Sequence, residues 1–363
     1  MQSILILGGY GNFGKRIAQK LATDGYPVII AGRNKAKAQT LVDDLQGSHH
    51  TLAAFDVNQD LAANLESLSP AVVINTCGPF QAADYRVAEN CIKAGIPYID
   101  LADGRDFVTG ITALDALAKE KGTTVISGAS TVPGLSSAVL EEYKAEFSHI
   151  RSMKFGISPG QKAERGLATT RGIMSYVGKK LQPFPNSGKQ AYGWQDIYRQ
   201  DYPGLGKRWM ANCDIPDLDL LPPRYGIDQI RFSAGVELAP LHLGLWGLSW
   251  LVRIGLPLNL PKYSSLLLKA SDLFDSFGTA DGGMHVILEG TNHNNQPLKR
   301  SWFIIAKNGH GPYIPTIPAI ILAKKIAAGD VLQSGAYPCV GLVTLQEYSA
   351  ELKDKDIETT TSH

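Results

Sequence analysis

Cysteine is scarce: the chain of 363 residues holds four, Cys77, Cys91, Cys213 and Cys339, far apart and with no CxxC pair. That excludes a zinc cluster or disulfide scaffold and implies a reducing, cytoplasmic setting with no metal site. Excess charge of either sign is also missing. The 35 basic residues face 34 acidic ones, a net of +1, so nucleic acid is excluded as a main partner. No basic leader or small-residue cleavage site surrounds the apolar start Ile4–Leu7, and glycines follow it at once. It therefore reads as a buried strand and not as a signal peptide. A membrane-spanning run is lacking too. One uncharged apolar stretch, LAPLHLGLWGLSWLV from Leu238 to Val252, ends at Arg253 and precedes Pro257 and Pro261, short of the roughly 18 residues a spanning helix needs. It is expected as a helix buried in the core or at a dimer interface. The alternative is a membrane-surface or lipid contact through 238–252, or an apolar substrate tunnel.

What is present is the composition of a globular chain, 44% hydrophobic and 19% charged, long enough for two or three domains. The first 130 residues alternate continuous apolar runs (Ser3–Leu7, Pro27–Ala31, Thr51–Phe55, Ala71–Asn75, Pro97–Ile99, Thr123–Ser127) with amphipathic segments (Lys15–Thr23, Lys35–Leu45, Asp84–Ala94, Thr109–Lys121). That rhythm predicts an α/β fold: a doubly wound parallel sheet of the Rossmann kind over 1–150. The character changes near Ile150. Strands Ser152–Ile157, Gln229–Gly235, Met284–Gly290 and Arg300–Ala306, with turns at Asp281–Gly283 and Asn292–Asn295, predict a second α+β domain with a mixed or antiparallel sheet over 151–310. Between them, Pro183–Tyr225 shows little periodicity. Its aromatic residues Tyr192, Trp194, Tyr198, Tyr202 and Trp209 read by default as a structural loop cluster. A C-terminal helical region, 311–352, is expected to pack back on the first domain, and the polar tail 353–363 to fray.

The chemistry-bearing motif is Gly9-Tyr10-Gly11-Asn12-Phe13-Gly14, a GxGxxG between a buried strand and a helix. Gly9 permits the tight turn, Gly11 lets backbone approach a pyrophosphate, and Gly14 lets helix pack on strand. The diphosphate then meets N–H groups at the helix N-terminus. Arg33 and Asn34 close the second strand, with Arg33 nineteen residues after Gly14. No Asp or Glu occurs from Val28 to Leu41, where an NAD-selective site usually carries one. A guanidinium there suits a ribose 2′-phosphate, with Lys35 or Lys37 as helpers, and favours NADP(H). Asp56, at the end of the third strand, is placed near the adenine. Thr76, Cys77 and Gly78, ending the fourth, are placed near the nicotinamide ribose, Cys77 as a packing thiol.

The stretches ILILGGYGNFG, AGRN, VVINTCGPF, CIKAGIPYIDLADG and VISGASTVPGLSSAV, in this order and spacing from Met1 to about Tyr143, resemble the saccharopine dehydrogenase-like family. The resemblance implies a Rossmann domain, a nicotinamide cofactor, a second domain with a mixed sheet, and a homodimer. The amino-acid-binding pattern of true saccharopine reductases is not evident beyond Ile150, so the resemblance does not assign saccharopine as substrate.

Hydride transfer needs a proton donor and a polar anchor beside the cofactor. Asp100, after Tyr98-Ile99 at a strand's carboxyl end, is a catalytic candidate or a turn cap, and Asp103 is a weaker one of the same kind. Ser130 is a second catalytic candidate, and Thr131 stands beside it. Either hydroxyl could touch the nicotinamide amide or serve as a helix N-cap. His310, in Gly309-His310-Gly311, is a third, as a general acid or as a satisfied surface histidine. The expected function is an NADP(H)-dependent oxidoreductase acting on a C=O, C=N or C=C bond of a small or apolar small-molecule substrate. The competing readings are a non-catalytic NADP(H)-binding regulator or scaffold, and a synthase using tightly held cofactor as an internal redox relay.

Overall fold

The computed structural model describes residues 2–47, 49–81, 83–185, 188–330 and 332–362. Two compact units emerge, one of Met1–Ala138 with Tyr313–Glu351, the other of Val139–Pro312 with Leu352–His363.

The first unit opens with β1 (Ile4–Leu7), β2 (Val28–Gly32), β3 (Thr51–Ala54), β4 (Val72–Asn75), β5 (Tyr98–Asp100) and β6 (Thr124–Ser127). The second carries β7 (His149–Ser158), β8 (Tyr198–Tyr202), β9 (Gly206–Asn212), β10 (Gln229–Ala234), β11 (Gly282–Thr291) and β12 (Pro297–Ala306). Two late strands follow, β13 (Gly335–Pro338) and β14 (Ile357–Ser362). The first sheet runs β3-β2-β1-β4-β5-β6-β13, and every pairing is parallel. β1 and β4 are fully buried, because helices cover both faces. Chain order reverses between β1 and β4. That switch point leaves a crevice outside the strands' carboxyl ends, where α/β sheets bind ligands.

The second sheet runs β14-β12-β11-β7-β10-β9-β8. It is mixed: β7 and β10 pair in parallel, and the other neighbours are antiparallel.

Four details differ from the sequence reading. The tail 353–363 does not fray as a whole, since β14 pairs with β12 from Ile357↔Ala306 to Ser362↔Ser301. Its Thr-rich run supplies β-branched residues to an open edge. The stretch 183–225 carries the β8–β9 hairpin and a helix, Asp217–Tyr225. Gly282 and Gly283 lie inside β11, where Gly283 packs against Ile305 and Tyr202. The run 238–252 is a helix, Ala239–Arg253, but only His242 and Ser249 on it are buried. Leu243, Trp250 and Leu251 on it are exposed, whereas Leu245 and Val252 pack against the core of the second unit.

Candidate functional site

The turn after β1 is closed by backbone contacts that only glycine permits. Gly8 has φ +74°, and a Cβ there would stand 2.7 Å from Thr76 Oγ1 and 3.1 Å from Cys77 Sγ. A Cβ on Gly14 would lie 2.3 Å from the Gly8 carbonyl oxygen. Gly11 donates its N–H to that same carbonyl at 2.8 Å and is exposed on the outer side. Helix α1 (Asn12–Thr23) starts directly after. Its first-turn N–H groups have no intrahelical acceptor by construction, and no acidic residue occupies that turn. An anion therefore meets donors and no opposing charge. Asn12 accepts through Oδ1 from the buried Arg16, whose guanidinium lies 5.1 Å from the Tyr313 ring centroid. Arg16 was not anticipated from sequence. The available signal was a cation beside the apolar Ile17, Ala18 and Leu21 on the buried face of α1.

Tyr10 ties the glycine turn to the end of β2. Its ring fills the space over Gly32, where a Cβ would stand 2.5 Å from Tyr10 Cε1. Its hydroxyl accepts from the Asn34 N–H at 2.9 Å. Asn34 then caps helix α2 (Lys35–Asp44) by accepting from the Lys37 N–H at 3.0 Å. Arg33, between these anchors, is exposed and forms no hydrogen bond or ion pair with a described residue. Asp56 folds its own turn by accepting from Asn58 at 3.0 Å. Arg33 and Asp56 both act electrostatically on Cys77, so the ends of β2, β3 and β4 share one rim. Phe13, on α1, is half-buried.

Thr76 donates to the Leu7 and Gly8 carbonyls, at 2.8 and 3.1 Å, so its hydroxyl braces the glycine turn. Asn75, also missed from sequence, accepts from the Cys77 N–H at 3.0 Å and donates to Tyr98 Oη at 3.0 Å. Gly78 and Pro79 are joined by a cis peptide and are exposed. Cys77 is not a packing cysteine, because the residue is exposed. Its sulfur nonetheless leans on the Gly8 turn. The resulting desolvation pushes the thiol up to about 11, against the opposing pull of Arg33.

The three catalytic candidates are held differently. Asp100 is fully buried, and its Oδ1 accepts from the Ala102 N–H (3.0 Å), the Ser127 hydroxyl (2.9 Å) and the Gly128 N–H (2.8 Å). Burial pushes its carboxyl up to about 6 although those donors pull the other way. It locks the loops after β5 and β6 together. Asp103, the weaker candidate, accepts from Gln81 Nε2 at 3.0 Å. Ser130 is buried beside the cis Val132–Pro133 bond and makes no side-chain cap bond. His310 belongs to the second unit. Its Nδ1 accepts from the Asp356 N–H at 2.8 Å and so ties the loop after β12 to the approach to β14. Among the described residues no group of His, Cys, Asp and Glu could hold a metal.

This geometry defines a dinucleotide-binding domain. Residues 4–126 match the model of the saccharopine dehydrogenase NADP binding domain. The whole chain superposes on the apo L-Glu-forming saccharopine dehydrogenase of Saccharomyces cerevisiae, TM-score 0.68 at 14% identity, covering 100% of each chain. An uncharacterized oxidoreductase of Bacillus subtilis, YvaG, is 34% identical over 91 residues, 23% of this chain and 34% of that protein. The match thus spans about a third of that relative's length. Residues 4–126 thus carry a domain of the saccharopine dehydrogenase NADP-binding type, and NADP(H) is the cofactor that such a domain binds.

Proposed function

We propose that the protein is an NADP(H)-dependent oxidoreductase that moves hydride to or from a C=O, C=N or C=C bond of a small or apolar substrate. The observation that carries this reading is Arg33, exposed and unpaired at the end of β2. Its backbone lies beside the Tyr10–Asn34 contact at the carboxyl ends of the neighbouring strands β1 and β2. In the fit with NADP(H), the glycine turn and the start of α1 take the diphosphate and Arg33 takes the 2′-phosphate. Thr76 and Asn75 hold the strand end on which a nicotinamide ribose would rest. Bound NADPH supplies the hydride. The protein's part is orientation, with Asp100 as a positioning residue for the loops bearing Ser127 and Ser130.

One observation favours the non-catalytic reading, a sensor of NADP(H): Asp100 and His310 are both engaged in internal hydrogen bonds. Turnover of any carbonyl, imine or enoyl substrate with NADPH oxidation rules it out. The cofactor claim is tested by titration with NADPH and NADH, followed by nicotinamide fluorescence. Losing a charge-assisted contact costs about 2 kcal/mol. Arg33→Ala should therefore weaken NADPH roughly thirty-fold while leaving NADH nearly unchanged. Equal losses for both cofactors, or no NADPH preference in the parent, would refute the role of Arg33.

A further inference from the structure

The second unit carries a surface that the proposed chemistry does not use. Twelve large hydrophobic side chains are exposed among the described residues, and eleven of them lie between Leu243 and Phe277. Scattered exposed apolar residues are ordinary, but such confinement marks an interaction surface. The helix Ala239–Arg253 is attached to its domain by one face, on which Leu245 and Val252 pack against the core around Met174, Val177 and Trp194. His242 and Ser249, seven residues apart, are fully buried. The Ser249 hydroxyl donates to the Trp246 carbonyl at 2.6 Å, and a Cβ on Gly178 would lie 2.3 Å from the Ser249 carbonyl oxygen. Trp250 and Leu251 face outward, Ile254 is 71% exposed just past the helix, and Leu266, Leu273 and Phe277 are 65%, 79% and 76% exposed on the segment that follows.

Charge on this face is net basic. From Ala239 to Ser271 there is no acidic residue, and Arg253, Lys262 and Lys269 are basic. The two acids within the Leu243–Phe277 span, Asp272 and Asp275, are both paired with Arg165 at 3.1 Å. Glu237, just before it, accepts from the Gln161 and Thr279 backbone N–H groups at 2.7 and 2.9 Å. Lys262 and Lys269 are exposed and form no ion pair with a described residue. A two-fold self-association would set this basic face against its own copy. An anionic surface would complement it.

We propose that this face docks the protein on the surface of a lipid bilayer bearing anionic headgroups. The helix lies in the interface plane, and Trp250 and Tyr263 sit at headgroup level. Among the described residues no helix is long and apolar enough to cross a membrane. The contact is therefore peripheral and reversible, and screened by salt.

Flotation tests it, with the full chain and vesicles of phosphatidylcholine alone or mixed equally with phosphatidylglycerol. The protein should float with the mixed vesicles at low salt, and less with phosphatidylcholine or at high salt. Lys262→Glu with Lys269→Glu should weaken binding roughly thirty-fold, as expected for two basic contacts near an anionic surface. Leu266→Ser with Phe277→Ser should abolish it. Both side chains are exposed, and unchanged NADPH titration and circular dichroism verify that these variants fold. No flotation of the parent protein at low salt would overturn the proposal. So would a parent that sediments as a dimer and a Leu266→Ser, Phe277→Ser variant that sediments as a monomer, with vesicles bound by neither.

Discussion

Asp100 shows how burial decides a residue's part. Its carboxyl, normally near 3.8, is pushed up to about 6 by desolvation. Between those values the folded chain holds a proton that the unfolded chain has released. Asp100's contribution to stability is therefore complete below about 3.8 and lost as pH rises through about 6, a swing of roughly 3 kcal/mol. The buried His285 and His242 work in the opposite sense. Desolvation lowers them to about 3 and about 4, so they cost stability as pH falls below 6.5. Subtraction isolates the aspartate. Asp100→Asn keeps an acceptor for Ala102, Ser127 and Gly128 but cannot ionise. Its stability relative to the parent should rise by up to that amount between pH 4 and 7. Denaturant unfolding followed by far-UV circular dichroism checks this, since all five tryptophans lie in the second unit and do not report on Asp100. Parallel pH curves would refute the assignment.

At the scale of elements, β14 covers the edge of β12 through six residue pairs. Ending the chain after Asp354 would bare a long strand with Trp302, Phe303, Ile304 and Ile305 in it, and uncovered edges of that kind template aggregation. The shortened protein should lose thermal stability in its tryptophan signal and aggregate on warming, while NADPH still binds. Unchanged melting would show that β14 adds nothing. What could be read from sequence follows the same physics. β1, β2 and β4 announced themselves as Ile/Val runs, because strands buried on both faces must be apolar throughout. The Gly8–Gly14 turn was legible because each close approach there excludes a Cβ. β13 was not, since Gly-Ala-Tyr-Pro at an edge has no hydrophobic run. The tail's polar threonines look like loop but satisfy a half-exposed strand. The helix Ala239–Arg253 read as core because periodicity reports which residues are apolar, not which face the rest of the chain covers.

The whole molecule is not divided where the chain changes character. The sequence turns from βα units to strands near Ile150, yet the first unit is completed only by Tyr313–Glu351. That return segment supplies β13, paired with β6, and the helix Ile317–Ala328, which packs on α1, β4 and β5. Ile317, Ile320, Ile321 and Leu322 on this helix are each at most 5% exposed. At about 2 kcal/mol for each buried side chain, their contribution is on the order of a domain's entire net stability. A fragment of residues 1–150 keeps the whole glycine turn, Arg33 and Asp56, but should neither fold nor bind NADPH. Joining 1–138 to 313–351 through a short Gly/Ser linker should restore a soluble domain that binds NADPH with an affinity close to the full chain's. If the 1–150 fragment binds NADPH as tightly as the full chain, the return segment is a covering and not part of the cofactor domain's fold. If the joined domain folds but binds weakly, residues 1–138 and 313–351 do not suffice to hold the cofactor.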